Sequence, residues 1–168
     1  KYFLGKLAYL SALRHEHAVA VPLLRKDFML APVQLYEARA AGADAILLIV
    51  AALDDAGLAD LHALARDLDL TALVEAHSAE EVERAMRIPG LQLLGVNNRN
   101  LHTFEVRRQT ALELRAQVPA EIAMVSESGI FTAEHAAEVA AAGIDAILVG
   151  EALVTAPDIA QKVRELVM

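Results

Sequence analysis

The stretch Ala41-Gly42-Ala43-Asp44-Ala45-Ile46-Leu47 recurs near the other end of the chain as Ala142-Gly143-Ile144-Asp145-Ala146-Ile147-Leu148. In each copy a helical pattern ends at a glycine, and an aspartate precedes an apolar run. Glycine is favoured just after the last residue of a helix, and a continuous apolar run is typical of a strand that is buried on both faces. The repeat therefore predicts the same joint from helix to strand at two places, and α/β folds are built from such joints.

Outward from this repeat, strand and helix patterns alternate along the whole chain, with strands roughly 20 to 30 residues apart, which is typical of a parallel sheet with right-handed crossovers. A (β/α)8 barrel and a doubly wound open sheet both fit, although no GxGxxG motif follows an early strand. We see no linker or low-complexity tract and predict a single domain over residues 1–168. The predicted strands are 21–25, 45–49, 71–75, 91–96, 122–125 and 146–149; the predicted helices are 1–15, 32–41, 54–68, 78–87, 107–117, 132–142 and 157–167.

The composition narrows the class of protein. The 168 residues are 56% hydrophobic with mean hydropathy +0.38, but the longest apolar run, 45–53, is too short to cross a bilayer, and no signal peptide is visible. A net charge of -8 argues against a nucleic-acid partner and leaves room for a small anionic substrate. The absence of cysteine excludes disulfides, thiol catalysis and zinc–thiolate sites, and it fits the cytoplasm.

Polar residues follow five of the six predicted strands. A barrel brings the carboxyl ends of its strands into one ring, where catalytic residues lie. A lysine beside carboxylates can act as a general acid. Each group alone could also be an ordinary solvated loop, and Lys26-Asp27 an ordinary surface pair. The groups are Lys26-Asp27, Glu75-Ala76-His77, Asn97-Asn98-Arg99-Asn100, Ser126-Glu127-Ser128-Gly129-Ile130 and Gly150-Glu151.

Ser128-Gly129 and Gly150 follow the last two predicted strands, and each precedes a helix. In (β/α)8 barrels, the loops after strands seven and eight commonly hold a phosphate through backbone N–H groups. The alternative is that these glycines only relieve strain in turns. If these two strands are strands seven and eight, Lys26 follows strand three, and we expect strands one and two to lie outside this chain.

Five motifs together make the chain resemble the indole-3-glycerol phosphate synthase family, (β/α)8 enzymes of tryptophan biosynthesis. The resemblance implies a barrel of which strands three to eight are present here. The motifs are Pro22-Leu23-Leu24-Arg25-Lys26-Asp27-Phe28, Tyr36-Glu37-Ala38-Arg39-Ala40-Ala41-Gly42-Ala43-Asp44-Ala45, Val74-Glu75-Ala76-His77, Gly95-Val96-Asn97-Asn98-Arg99-Asn100-Leu101 and Ser126-Glu127-Ser128-Gly129-Ile130.

The resemblance implies roles for four catalytic residues. Lys26 matches the general acid of the family on strand three. Glu75 matches a strand-five carboxylate that accepts a proton or stabilises the transition state. Asn97 matches an asparagine that orients substrate hydroxyls, and Glu127 matches the strand-seven glutamate.

The resemblance also implies a set of binding residues. Ser128 contacts the phosphate, and Phe28 lies at the wall of the aryl pocket. Glu151 departs from the small polar residue often found in the family, so we expect only its backbone N–H to matter. The set is Phe28, Arg99, Ser128, Gly129, Gly150 and Glu151.

The implied reaction closes the indole ring of a carboxyphenylamino-deoxyribulose phosphate with loss of carbon dioxide and water. It requires no metal and no organic cofactor. The six histidines agree with this expectation, because they are scattered and His15-Glu16-His17 falls in a solvated turn.

The largest departure from the family lies at the front, where the family has a Glu-x-Lys pair on strand one. Lys1-Tyr2-Phe3 resembles the segment after strand two. We therefore expect either a longer native protein or an inactive fragment that associates through open barrel edges. Phosphoribosylanthranilate isomerase is a rival, but it would require a catalytic cysteine. A non-catalytic phosphate-binding barrel fragment is the rival from another class.

Overall fold

A computed structural model describes residues 5–100 and 103–167. Two compact units make up the chain, Lys1–Val74 and Glu75–Met168. Residues 1–4, which fall in the predicted first helix, and Leu101 of the fourth motif lie outside the described ranges. The prediction of one domain over 1–168 stays a prediction.

The first unit alternates helices with parallel strands in the order β1-β2-β3. Leu24 and Arg25 of β1 lie opposite Ala45 and Ile46 of β2 in parallel register. Leu35, Leu48 and Leu58 are fully buried side chains of this unit. Its elements are α1 (Ala8–Ser11), a π-helical turn (Ala12–Glu16), β1 (Leu24–Arg25), α2 (Pro32–Ala40), β2 (Ala45–Ile49), a 3-10 turn (Val50–Ala52), α3 (Asp55–Asp67) and the first part of β3 (Thr71–Ala76).

The second unit begins within β3 and continues in the strand order β3-β4-β5-β6. Leu93 to Asn97 of β4 lie opposite Ala123 to Glu127 of β5, and β5 runs parallel to β6. The α/β class with parallel strands is thereby confirmed. The elements are α4 (Ala79–Ala85), β4 (Leu93–Asn97), α5 (Gln109–Leu114), a 3-10 turn (Arg115–Gln117), β5 (Ala123–Glu127), α6 (Ala133–Ala141), β6 (Ala146–Leu148), α7 (Glu151–Val154) and α8 (Ile159–Leu166).

The two copies of the sequence repeat form the same hydrogen-bonded joint. The Asp44 carboxylate accepts the backbone N–H of Leu23 at 2.7 Å, and the Asp145 carboxylate accepts that of Met124 at 2.8 Å. The backbone N–H of each aspartate donates in turn to the carbonyl of the same residue. The aspartate therefore ties the start of its strand to the neighbouring strand, which explains why both copies carry it.

The first predicted strand, 21–25, is wrong in its extent, because only Leu24–Arg25 is strand. Pro22 has no N–H to give to a ladder. The N–H of Leu23 goes to the Asp44 side chain, and its carbonyl accepts from Asp44 and Ala45. These bonds replace the ladder that a longer strand would need.

Helix boundaries also differ from the prediction. The helix predicted over 107–117 spans Gln109–Leu114 and tightens into a 3-10 turn, and the one predicted over 157–167 begins at Ile159 after the N-cap Asp158. The short helix α7 was not predicted. Ser78 and Thr132 cap their helices by accepting backbone N–H groups.

Helices of the described residues are all too short or too polar to cross a bilayer.

Candidate functional site

Lys26 follows β1 at the start of an exposed loop that has well-defined internal bonds. The Arg25 guanidinium donates to the carbonyl of Gln34 at 2.8 Å, which ties the end of β1 to α2. The Gln34 amide accepts the N–H groups of Leu30 and Ala31 and donates to the carbonyl of Phe28. The loop that carries Lys26 therefore has a fixed path, and Gln34 is a residue that sequence reasoning missed.

Phe28 lies in this loop with 48% of its surface exposed, whereas the next residue, Met29, is fully buried. Met29 anchors the loop by its apolar side chain, and Phe28 is left to face outward. An exposed aromatic ring on a fixed loop suits the wall of an aryl pocket, as the resemblance implies.

Glu75 is the first residue of the second unit and lies near the carboxyl end of β3, with 1% of its surface exposed. One of its carboxylate oxygens, Oε1, lies 3.2 Å from Nε2 of His77. Burial by itself lowers the pKa of His77, but contacts with Glu75 and Glu81 outweigh it and raise that pKa to about 9. Glu75 therefore has an imidazolium beside it at neutral pH.

Asn97 and Ser128 are brought together by the register of β4 and β5. The hydroxyl of Ser128 donates to Oδ1 of Asn97 at 2.8 Å, and the backbone N–H of Arg99 donates to the same oxygen at 3.0 Å. Glu127, 1% exposed, lies directly opposite Asn97 in the ladder. Three of the predicted site residues thus share one edge of the second unit.

Asn98 connects several elements through its side chain. It is part of the fourth motif, but it was not predicted as a site residue. Its side chain is 4% exposed and makes three hydrogen bonds. Nδ2 donates to Ser126 Oγ and to the carbonyl of Ser128, and Oδ1 accepts the backbone N–H of Ala111 in α5. One amide thereby connects β4, α5 and the loop after β5, and the only sequence signal was its place beside Asn97.

The turn at Ser128-Gly129 has an unusual backbone. Both residues have positive φ angles, +66° for Ser128 and +78° for Gly129. A Cβ atom at Gly129 would lie 2.6 Å from Cγ1 of Val106 and 2.9 Å from Cγ of Arg108. Glycine is therefore required here for two reasons, the left-handed conformation and the closely packed segment behind it.

Arg99 and Glu151 form an ion pair with 2.8 Å between Nη2 and Oε2. Gly150 precedes α7, and Glu151 is the first residue of that helix. The pair joins the loop after β4 to the loop after β6. It places a carboxylate, already engaged by an arginine, in one of the two predicted phosphate loops.

A polar cavity of about 190 Å³ opens beside these loops. No group of three or more histidine, cysteine, aspartate or glutamate side chains suited to a metal ion occurs in 5–100 and 103–167. The side chains that line the cavity suit polar ligands or water; they are His77, Asn97, Asn98, Asn100, Glu105, Arg107 and Thr110.

Sequence comparisons place this chain among known proteins. The family model described as indole-3-glycerol phosphate synthase matches residues 1–166. A curated relative of that name from Roseiflexus castenholzii is 56% identical over 172 residues, which cover 99% of this chain and 64% of the relative. Another, from Albidiferax ferrireducens, is 50% identical over 94% of this chain and 59% of its own length. The chain thus spans about three fifths of the length of these relatives.

Solved structures share the fold at much lower sequence identity. A 3-hexulose-6-phosphate synthase from Salmonella typhimurium has a TM-score of 0.79 and 17% identity, over 95% of this chain and 77% of that chain. A 3-keto-L-gulonate-6-phosphate decarboxylase from Vibrio cholerae has a TM-score of 0.68 and 17% identity, over 94% and 75%. At such identities the likeness concerns the fold alone.

Proposed function

Because the chain belongs to the indole-3-glycerol phosphate synthase family, we propose that it carries the family's ring-closing carboxy-lyase activity in tryptophan biosynthesis. The substrate is 1-(2-carboxyphenylamino)-1-deoxyribulose 5-phosphate, and the product is indole-3-glycerol phosphate. The observation that carries the proposal is the identity of 50–56% to curated relatives, combined with polar residues of the family's motifs at successive strand ends.

We propose further that β1 to β6 correspond to strands three to eight of a (β/α)8 barrel. The strand order β1-β2-β3 of the first unit and β3-β4-β5-β6 of the second supports this, because barrel strands follow one another in chain order. The position of Lys26, Glu75, Asn97 and Glu127 at or just beyond the carboxyl ends of their strands fits the catalytic face of such barrels.

In the first step Lys26 donates a proton to the keto oxygen of the substrate. The ammonium also stabilises the negative charge that develops on that oxygen. The electron-rich aryl carbon that bears the carboxylate bonds to the keto carbon, and the carboxylate then leaves as carbon dioxide. Phe28, exposed on its loop, packs against the aryl ring.

In the second step the new hydroxyl leaves as water and a proton is removed to complete the indole. Glu75 or Glu127 accepts that proton, since both are buried carboxylates at strand ends. Asn97 holds a hydroxyl of the sugar chain through its amide. Its Oδ1 is already engaged by Arg99 and Ser128, so its orientation is fixed before substrate arrives.

The phosphate is held by backbone N–H groups of Ser128-Gly129 and Gly150-Glu151, with Arg99 near the substrate. Positive φ angles at Ser128 and Gly129 support this role, because such turns can aim successive N–H groups at an anion. No metal and no organic cofactor enter the reaction. The partner is a small anionic metabolite in the cytoplasm rather than a nucleic acid or a membrane.

Turnover tests the proposal directly. The protein, in the form that its source produces, is incubated with the carboxyphenylamino substrate, and the fluorescence of indole-3-glycerol phosphate is followed. Ring closure supports the proposed function. Conversion of phosphoribosylanthranilate instead would favour the isomerase, and binding of the substrate without conversion would favour a non-catalytic phosphate-binding protein.

A further inference from the structure

His77 lies between two carboxylates of the second unit and contacts both. Its Nδ1 is 3.0 Å from Oε2 of Glu81, and its Nε2 is 3.2 Å from Oε1 of Glu75. The His77 side chain is 11% exposed, and that of Glu75 is 2% exposed. These contacts link the first turn of α4 to the buried carboxylate of β3.

The Glu81 side chain is firmly held. The same oxygen, Oε2, also accepts the backbone N–H of His77 at 2.8 Å, and the backbone N–H of Glu81 donates to the N-cap Ser78. Ser78 and Glu81 form the S-x-x-E pattern that is typical of a capping box, but the Glu81 side chain reaches one residue further back, to the backbone of His77. The imidazole ring is thereby fixed relative to α4.

The contact between His77 and Glu75 depends on charge. Nε2 of His77 makes no well-aligned hydrogen bond within the described residues, so its contact with Glu75 is held by the attraction between imidazolium and carboxylate. Burial opposes this charge, but Glu75 and Glu81 raise the pKa of His77 to about 9. Glu105 and Arg107 line the same cavity as His77 and are the other charged groups beside it there.

We propose that His77 is a positioning residue: a protonated imidazole, fixed by Glu81, that holds the Glu75 carboxylate ionised and in one orientation for the reaction. The inference rests on the proposed function and chooses Glu75 rather than Glu127 as the carboxylate that accepts the proton. To accept a proton, the Glu75 carboxylate must be ionised and correctly oriented. An imidazolium fixed beside it favours both conditions. We call the contacts of His77 with Glu75 and Glu81 the clamp. Glu81 would then be the residue that holds His77 in place.

Two substitutions separate the two ends of the clamp. The amide nitrogen of Gln matches Nε2 of histidine in reach, so His77→Gln still places an N–H near Glu75 without a charge. The amide of Asn matches Nδ1, so His77→Asn keeps the contact with Glu81 and loses the one with Glu75. Asp158→Ala is the matched control, because it removes the N-cap of another helix of the second unit, α8, and contacts none of His77, Glu75 and Glu81.

The proposal is tested by steady-state kinetics. The substitutions are introduced into the protein in the length that its natural source makes. We expect His77→Asn to lower kcat by about 10- to 100-fold, as misplaced catalytic groups do, with little change in KM. His77→Gln should lose less, and Asp158→Ala should keep the parent kcat. A kcat for His77→Asn equal to that of Asp158→Ala would overturn the proposal, since His77 would then have no effect on Glu75.

A readout independent of turnover keeps the inference separate from the proposed function. The Glu75 carboxyl is followed by carbon NMR across pH in the parent protein and in His77→Asn. We expect the pKa of Glu75 to rise in the variant, because the neighbouring cation that favours the charged form is gone. An unchanged Glu75 titration would refute the clamp. A parent protein without ring-closing turnover would refute the proposed function, and the clamp would still be decided by this titration.

Discussion

Neighbouring residues fix the path of the loop that carries Lys26. Arg25 and Gln34 bind the loop to α2, and Met29 anchors it in the core of the first unit. A substitution at the exposed Lys26 should therefore change chemistry without changing the fold. This separation makes Lys26 the most direct test of the proposed mechanism.

Lys26→Met removes the ammonium and keeps the length of the stem. We expect kcat for ring closure to fall by about 10²- to 10⁴-fold, the usual contribution of a general acid, with an unchanged melting temperature. The matched control is Lys6→Met, an exposed lysine of the same unit, which should retain full activity. Near-normal turnover by a folded Lys26→Met protein would remove Lys26 from the mechanism.

Glu151 is the site residue at which the resemblance implies a departure from the family. Its carboxylate is half exposed and paired with Arg99. Beside a bound phosphate, it would repel the anion and occupy the nearest cation. If the phosphate binds at the proposed loops, the pair should therefore weaken its binding compared with a neutral residue at the same place.

Glu151→Gln should accordingly bind inorganic phosphate more tightly, by about fivefold if a surface charge pair is worth roughly 1 kcal/mol. Titration calorimetry with phosphate measures the change. Glu113→Gln is the control, because it also frees an arginine, Arg107, from an exposed ion pair of the second unit. Equal or weaker binding by Glu151→Gln would show that the phosphate lies elsewhere.

The residues that sequence reasoning selected and those it missed differ in a physical respect. Glu75 and Asn97 could be selected because polar groups follow successive predicted strands and because two motifs of the family contain them. Asn98 and Gln34 act through hydrogen bonds to backbone groups far along the chain. Such partners are set by tertiary structure, so no spacing in the sequence reveals them.

Among the elements, the glycines that end helices were predicted correctly, whereas the extent of the first strand was not. Gly42 and Gly143 end their helices with positive φ angles, as the repeat predicted. A glycine signals a local backbone requirement that is written in the sequence. The length of β1 depends instead on the Asp44 side chain, which takes the N–H that a longer strand would have used.

Gly129 and Gly143 form a matched pair for separating backbone strain from packing. Both have positive φ angles, but a Cβ at Gly143 would meet nothing within 4 Å, whereas one at Gly129 would press against Val106 and Arg108. Gly143→Ala should lower the free energy of unfolding by about 1–2 kcal/mol through strain alone. Gly129→Ala should lower it by about 1–3 kcal/mol more, from overpacking.

Urea denaturation of the two variants measures the difference. The Gly129→Ala protein should also show a raised KM for the phosphorylated substrate, because the displaced turn carries the proposed phosphate N–H groups. Equal losses of stability in the two variants would mean that the segment behind Gly129 moves away at little cost.

At the scale of the whole molecule, the alternation of strands and helices was sufficient to predict the α/β class and the parallel pairing. Apolar runs alternate with helical patterns along the sequence, and the described strands pair with one another in chain order, so pattern and topology carry the same information. The division into two compact units, with its boundary inside β3, was not predicted. No change of composition marks that boundary, because one strand belongs to both units.

The titration of His77 also makes the stability of the protein depend on pH. Its pKa is about 9 in the folded protein and about 6.5 in an unfolded chain. The folded state therefore binds the proton more tightly, and this contribution is complete below pH 6.5 and disappears as the pH rises through 9. At 1.36 kcal/mol per pKa unit, the loss is on the order of 3 kcal/mol.

Urea denaturation at pH 6 and at pH 9.5 should show this loss in the parent protein, and His77→Gln should remove most of the difference between the two values. The lowered pKa of Glu81, whose burial is outweighed by contacts with His77, acts at the opposite end of the scale, since its contribution is lost as the pH falls through the acid range. The decrease of the free energy of unfolding at alkaline pH therefore reports on the His77 imidazolium and not on Glu81. The same decrease in His77→Gln would mean that other groups cause it and that His77 is neutral in the folded protein.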